Sequence, residues 1–441
     1  MKVYFETLGC PKNFNDSEIA KGNLSENNFE IAENPDDADV IVVNTCGFIN
    51  DAKKESIEKI FEMSEYKESG KKLVVSGCLS ERYFNDLKDE MPEVDLFLGV
   101  NEYDRISEIL TEKFINASND GRCFVSGNHP EMLPYLSRKL DDNPYSATLR
   151  IAEGCNNRCA YCVIPSIRGS FRSKRMEDVV SEAEFLASSG TKELILIAQD
   201  VTNYGIDLYG KYMLPELIKK VCEVDGIRWV RLMYCYEDRI TDELIDVMAT
   251  EAKVCHYIDI PIQHASDNVL KGMHRRSTNS TIRNTIDRLR KAIPDIHIRT
   301  TFIVGFPGET DDDFEELAAF VDEMRFARLG VFAYSQEEGT PAGDREDQID
   351  EDVKQERLDH IMRKQLDISL ELNREKIGQT FDVIVDGIDE DGAYLGRTEY
   401  DSPEIDNSVI FTSERSLDPG DFVRVKVTDA FDYDLVGKED Y

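Results

Sequence analysis

Basic side chains are scarce in this chain: 52 Lys and Arg stand against 88 Asp and Glu, leaving a formal charge of -36 over 441 residues. Phosphate recognition draws most of its affinity from cations that neutralise the backbone, so this balance argues against direct nucleic-acid binding and favours a basic partner. Acidity that serves only solubility is the other reading of the same number. Long apolar runs are also missing, and no stretch approaches the roughly 20 residues of a membrane span. The opening "MKVYFETLGC" has no basic segment followed by an apolar one, so the expectation is a cytoplasmic protein without a membrane. Internal repeats and low-complexity tracts are absent. Cysteine is confined: the last of ten is Cys255, and the 186 residues after it have none. That is not the dense framework of a small secreted domain, and thiolate ligation in a reducing compartment becomes the use to consider.

At this length two or three domains are expected. Residues 1–112 alternate "KVYFETLG", "DVIVVNTCG", "KLVVSGC" and "DLFLGV" with amphipathic stretches, a βαβ pattern that predicts a parallel-sheet α/β domain. In the stretch after the second strand, Ile57, Ile60 and Phe61 are expected to share one helical face. Cys10, Cys46 and Cys78 each close a predicted strand, where such sheets bind ligands. Residues 113–146 read as a linker rich in turn formers. From 147 to 350, six strands such as "ELILIAQD", "YIDIPIQH" and "HIRTTFIVGF" alternate with helical segments, as in a partial TIM-like (β/α) barrel. A connecting helix is expected over 351–375, with Leu358, Ile361, Ile368 and Leu372 as its apolar face. Residues 376–441 switch to period two and predict a small antiparallel β-barrel.

The stretch "AEGCNNRCAYCVIP" places Cys155, Cys159 and Cys162 on one short loop. Three thiolates at C-x3-C-x2-C spacing hold three corners of a cubane iron-sulfur cluster and leave the fourth iron open for chemistry. A structural zinc site prefers four ligands, and the nearest further candidates, Cys123 and His129, are remote in sequence. An isolated buried thiol is the bland reading for each cysteine taken singly, and it is retained for Cys123, Cys222, Cys235 and Cys255.

"CNNRCAYC", with Tyr161 before its last cysteine, resembles the cluster motif of the radical S-adenosylmethionine superfamily. "GCPKNFNDSE", "NTCGF" and "SGCLSER" are similar to the three cysteine motifs of its methylthiotransferases, and the tail resembles their TRAM module. The resemblance spans essentially the whole chain and implies two 4Fe-4S clusters: one on Cys155, Cys159 and Cys162 that binds S-adenosylmethionine, and an auxiliary one on Cys10, Cys46 and Cys78. It further implies one S-adenosylmethionine as methyl donor and another as source of a 5′-deoxyadenosyl radical, since inserting sulfur into an unactivated C–H bond has no polar route. A reductant protein and a sulfur donor are implied with it. Tyr161 of the cluster motif, Gln199 and Asp200 of "ILIAQDVTNYG" and Gly305 of "TFIVGFPGE" match positions at which the superfamily contacts its cofactor, a strand-end hydrogen-bonding role without the cofactor being the other reading of Gln199 and Asp200. His264 and Arg275 of "PIQHASDNVLKGMHRR" are further candidates for the cavity.

Two signs bear on the substrate. Residues 376–441 hold 17 Asp plus Glu against 6 Lys plus Arg, a poor surface for RNA, although Tyr394, Phe411 and Tyr433 are candidates for base stacking. "GCPKN" resembles the branch that modifies ribosomal protein (the RimO class), whereas the tRNA branch (the MiaB class) has Gln-Met in place of Pro11-Lys12. The RimO class implies methylthiolation of the β-carbon of an aspartate in the basic small-subunit ribosomal protein S-twelve. The tRNA adenosine activity is the alternative, and a non-catalytic iron-sulfur scaffold or electron carrier is the alternative from another class. A carrier would saturate each cluster with four protein ligands, and this chain offers three at both places.

Overall fold

The computed structural model describes residues 1–116, 123–125, 132, 134, 137–140 and 144–440; His129 and the side chain of Cys123 lie outside that description. The chain divides into two compact units. The first comprises Met1–Asp142, Ala152–Glu182 and Ser335–Thr340, and the second Asn143–Ile151, Ala183–Tyr334 and Pro341–Tyr441.

The first unit is built on a six-stranded parallel sheet of β1 (Lys2–Thr7), β2 (Glu30–Ile31), β3 (Val40–Thr45), β4 (Lys72–Gly77), β5 (Leu96–Leu98) and β6 (Cys123–Phe124), in the order β2-β1-β3-β4-β5-β6. Strand β3 is buried at every position, as expected for a central strand with both faces covered. Its alternate residues feed different cores: Val40 and Val42 pack with Val3 and Val74, whereas Ile41 and Val43 pack with Leu73 and Val75. In the Asn50–Ser64 helix the buried stripe is Ser56, Ile60 and Met63. Phe61, expected on that face, is 48% exposed, because it stands about 100° round the helix from Ile60. The segment expected to be a linker contributes β6 to the sheet edge in its described part.

The second unit holds six parallel strands, β7 (Ser146–Arg150), β8 (Glu193–Ile197), β9 (Trp229–Leu232), β10 (Val254–Gln263), β11 (His297–Val304) and β12 (Arg328–Ala333), in simple sequential order. This is the open, partial form of a β/α barrel. A 24-residue helix, Glu351–Arg374, leads to the closed barrel of β13 (Thr380–Ile388), β14 (Tyr394–Thr398), β15 (Val409–Thr412), β16 (Phe422–Ala430) and β17 (Leu435–Glu439), ordered β13-β14-β15-β17-β16. The helix differs from the apolar face expected of it: its buried stripe runs through Lys354, Arg357, Ile361, Gln365, Ile368, Ser369 and Asn373, and Leu358 and Leu372 are only half-buried. Its polar members find partners, as when Gln365 Nε2 donates to Phe326 O at 3.0 Å and Asn373 Nδ2 to Tyr433 O at 2.9 Å. Burial here is governed by hydrogen-bond satisfaction rather than apolar periodicity.

Buried ion pairs fasten the small barrel to the strands of the larger one. Glu193, fully buried, accepts from Arg231 Nε at 2.8 Å and from Arg397 Nη1 at 2.9 Å, and Arg328 Nε donates to Asp401 at 3.0 Å. These cations hold the carboxyls of Glu193 and Asp401 at about 2, against the opposing pull of burial.

Candidate functional site: two groups of three cysteines

Cys10, Cys46 and Cys78 follow β1, β3 and β4, so three neighbouring parallel strands deliver them to one end of the sheet. The loops are closely fitted. A Cβ on Gly9, whose φ is +93°, would stand 2.8 Å from Cys46 Cβ and 3.2 Å from its Sγ, and one on Gly47 would stand 2.8 Å from the backbone of Cys78 and Leu79. Only glycine fits at either place.

Four polar side chains fix these loops. Asn13, fully buried, donates from Nδ2 to Leu8 O at 2.8 Å and to Thr45 O at 3.1 Å, which clips the first cysteine loop to the second. Ser56 Oγ accepts from Cys46 N and donates to Cys46 O, both at 3.0 Å. Arg82, one turn after Cys78, donates to Gly47 O at 2.9 Å and so joins the second loop to the third. Arg168 reaches the same place: its Nη2 donates to Asn13 Oδ1 at 3.0 Å and to Cys78 Sγ at 3.3 Å. Burial pushes the Cys78 thiol up to about 12, with the Arg168 charge pulling the other way, and burial likewise raises Cys46. A bound cation would have to draw those protons off.

Cys155, Cys159 and Cys162 lie on a loop closed at its base by antiparallel pairing of Ala152–Glu153 with Arg172–Ser173. Cys155 N donates to Gly169 O at 3.1 Å, Cys162 N to Cys159 O at 3.1 Å, and Phe171 N to Asn156 Oδ1 at 3.1 Å. The short helix Ile164–Ile167 follows, and Val163 and Ile167 join the apolar cluster that contains Cys78 and Val100. Cys155 and Cys159 are buried, and Cys162 and Tyr161 half-buried. Burial, and next the neighbouring Cys159, raise the Cys162 thiol. Among the described residues no three His, Cys, Asp or Glu side chains close round a single metal ion. A cubane cluster takes one thiolate per iron at separate corners, and each set of loops supplies three thiols for that purpose. All six cysteines belong to the first unit.

Gln199, Asp200 and Gly305 lie in the second unit, each just beyond a barrel strand. Gln199 is half-buried. Asp200, 1% exposed, accepts from Thr202 Oγ1 at 2.5 Å and is ion-paired to Arg239, so it is held rigidly. The side of Gly305 on which a Cβ would stand is covered by the Lys354 stem, 2.2 Å away. The turn after Gly305 is braced by Glu309, which accepts from Phe306 N and from Arg357 Nη1, both at 3.0 Å. Burial lifts Glu309 to about 7 despite the Arg357 charge, and drops buried His264 to about 3. His264 Nδ1 accepts from Ser266 N at 3.0 Å, which leaves its proton on Nε2, 3.8 Å from Glu309. Arg275 is committed to Glu237 at 2.7 Å. Phe411, a candidate for stacking, is 1% exposed inside the small barrel, whereas Tyr433 is 43% exposed.

Sequence comparison accounts for most of the chain in three matches: the Uncharacterized protein family UPF0004 over residues 2–99, the Radical SAM superfamily over 149–321 and the TRAM domain over 377–439. Among solved structures, a radical S-adenosylmethionine methyltransferase, TsrM, from Kitasatospora setae superposes with a TM-score of 0.58 at 15% identity, covering 78% of this chain and 77% of that one. The cobalamin-dependent radical enzyme OxsB superposes at 0.54 and 13% identity over 82% and 56% of the two chains. The sequence is 49% identical to the ribosomal protein uS12 methylthiotransferase RimO of Lachnoclostridium phytofermentans, covering 99% of both chains. It is 50% identical to the protein of the same name from Acetivibrio thermocellus, over 99% of this chain and 98% of that one. S-adenosylmethionine and 4Fe-4S clusters are the cofactors that follow from this kinship. With two cysteine triads on fitted loops and this likeness from end to end, the chain belongs to the RimO family of radical S-adenosylmethionine methylthiotransferases.

Proposed function

We propose that the enzyme methylthiolates the β-carbon of an aspartyl residue of ribosomal protein uS12 in the cytoplasm. The observation that carries this reading is the end-to-end identity, near one half, with proteins named for that activity. In this assignment Cys155, Cys159 and Cys162 hold the cluster that binds S-adenosylmethionine, and Cys10, Cys46 and Cys78 hold the auxiliary cluster. The bound clusters and S-adenosylmethionine supply the one-electron chemistry and the methylthio group. The chain's own residues orient and shield them. Asn13, Ser56 and Arg82 set the spacing of the auxiliary thiols, and the hydrogen bonds of Cys155 and Cys162 set the radical loop. Tyr161 in the first unit, and Gln199, Asp200 and Gly305 in the second, are the candidates the resemblance offers for contact with S-adenosylmethionine; Arg239 holds Asp200, and Glu309 braces the turn after Gly305.

By domain, residues 1–112 carry the auxiliary site, 147–350 the radical core, 351–375 the connecting helix and 376–441 the TRAM barrel. Charge supports a basic protein substrate: the tail is strongly acidic, and Asp429 and Asp432 are exposed on it beside exposed Phe431 and Tyr433. Mass spectrometry of ribosomal proteins and tRNA nucleosides from cells with and without the gene tests the assignment. Loss of a methylthio group from one uS12 aspartate is expected; loss from a tRNA adenosine would replace the substrate and keep the chemistry.

A further inference from the structure

Arg168 has no counterpart in the cysteine motifs, yet within the first unit it touches segments that carry both groups of cysteines. Its side chain is 2% exposed. It follows the Ile164–Ile167 helix, six residues after Cys162, and its backbone N–H donates to Ile164 O at 2.8 Å. The guanidinium ion-pairs from Nη1 with Asp16 at 2.8 Å and with Glu153 at 3.5 Å, while Nη2 donates to Asn13 Oδ1 and to Cys78 Sγ. Asp16 and Asn13 belong to the Pro11–Glu26 helix behind Cys10, and Glu153 belongs to the base of the Cys155–Cys162 loop.

A structural ion pair would need the carboxylates alone. Burying a guanidinium is costly, and Asp16 and Glu153 already offset its charge. The additional N–H···S bond is what sets this arginine apart. A neutral thiol is a weak acceptor, whereas a metal-bound thiolate is a strong one for a cation. Hydrogen bonds to the sulfurs and local charge are the protein's means of setting a cluster's reduction potential. Adding one electron makes the cluster and its thiolates more negative by one charge, which a fixed cation at 3.3 Å from one sulfur favours.

Resting on the assignment of an auxiliary cluster to Cys10, Cys46 and Cys78, we infer that Arg168 is a positioning residue for that cluster: it donates a hydrogen bond to the Cys78 thiolate, raises the cluster's reduction potential, and ties its place to the radical loop. The test uses the full chain with Cys155→Ala, Cys159→Ala and Cys162→Ala, reconstituted with iron and sulfide so that only the auxiliary site loads. Dithionite titration followed by electron paramagnetic resonance should give a lower midpoint potential after Arg168→Gln, with Arg168→Lys between that and the parent. In the protein with Arg168 intact and its arginines labelled with 15N in the guanidinium, the reduced cluster should show a nitrogen coupling by pulsed resonance. That second measurement stands even where Arg168→Gln fails to fold. An unshifted potential in a loaded Arg168→Gln protein, or no nitrogen coupling in the labelled one, overturns the role of Arg168 and leaves the cluster assignment standing. Failure of the triple-Ala protein to bind iron overturns the assignment itself, and the inference with it.

Discussion

Two sets of buried polar side chains, one in each unit, serve different ends. In the first, Asn13, Ser56, Arg82 and Arg168 point at the loops that carry cysteines, and besides the carboxylates that balance the two arginines their partners there are loop carbonyls, a backbone N–H and a thiol. In the second, Glu193, Arg231, Arg397, Arg328 and Asp401 point mainly at one another, between the strands of the large barrel and the small one. The first arrangement fixes where ligands stand. The second fixes where a domain stands. Equal burial therefore carries unequal consequences, and a substitution should show which kind of polar burial it has disturbed.

The largest effect is expected at the cysteines. Alanine at Cys155, Cys159 or Cys162 should abolish reductive cleavage of S-adenosylmethionine, whereas alanine at Cys46 should leave cleavage intact and stop methylthio product. Chromatography of 5′-deoxyadenosine together with the mass of the substrate peptide separates the two. Normal product from Cys46→Ala would sink the two-cluster assignment.

Next come the side chains behind the ligands. Asn13→Ala leaves two carbonyls without the donor that clips them, at about 1–3 kcal/mol per buried group left unsatisfied. It should also lower the iron retained by the auxiliary site. Glu193→Gln leaves buried Arg231 without its counter-charge and Arg397 with Asp386 alone, and breaking such a buried pair costs about 3–5 kcal/mol, but iron content should not change. Denaturant unfolding of the apoprotein, paired with iron analysis of the reconstituted one, decides the matter. Equal iron loss in both variants would erase the distinction between the units.

Acid should reach the second unit through the same carboxylates. The folded-state values of Glu193 and Asp401, about 2, lie below their ordinary values of 4.5 and 3.8. Each therefore contributes stability that is complete above its unfolded value and is lost as pH falls through the folded one. Stability should decline between about pH 4 and pH 2, and a protein with Glu193→Gln and Asp401→Asn should decline less over that window. Parallel curves for the two proteins would show that these pairs do not govern the acid limb.

How far the sequence foretold this follows from the kind of signal each feature leaves. The sheet strands were legible because both-face burial writes continuous apolar runs such as "VIVV", and the cysteines because ligand spacing is itself a pattern. Phe61 misled because a residue's apolar character does not say which of two adjacent helical faces is covered. The long helix misled in part: Ile361 and Ile368 are buried as expected, but the rest of the buried stripe includes Lys354, Arg357 and Gln365, residue types that periodicity scores as surface. Asn13 and Arg82 sat inside the quoted motifs, yet a single polar residue carries no period, and only the fold shows which carbonyl it meets. Arg168 lay beyond the cysteine motif altogether, and its partners come from segments 15 to 155 residues distant.

The smallest effect is expected on the surface of the small barrel, and it sharpens the comparison by adding charge that is not buried. Asp434, which the acidic tail offers alongside Asp429 and Asp432, accepts from Ser408 N at 2.8 Å and is part of the barrel's own structure. Changing it would confound folding with docking. Asp429→Lys with Asp432→Lys alters exposed positions and gives up one local bond, Ala430 N to Asp429 Oδ1 at 2.8 Å, so stability should fall by no more than about 1 kcal/mol. Capture of the basic substrate should weaken at low salt, and the difference from the parent should fade as ionic strength shortens the Debye length toward about 3 Å at 1 M. Association rates at several salt concentrations read this directly. A loss that persists at high salt would point to a specific contact made by Phe431 or Tyr433, and no loss at any salt would remove this face from the docking surface.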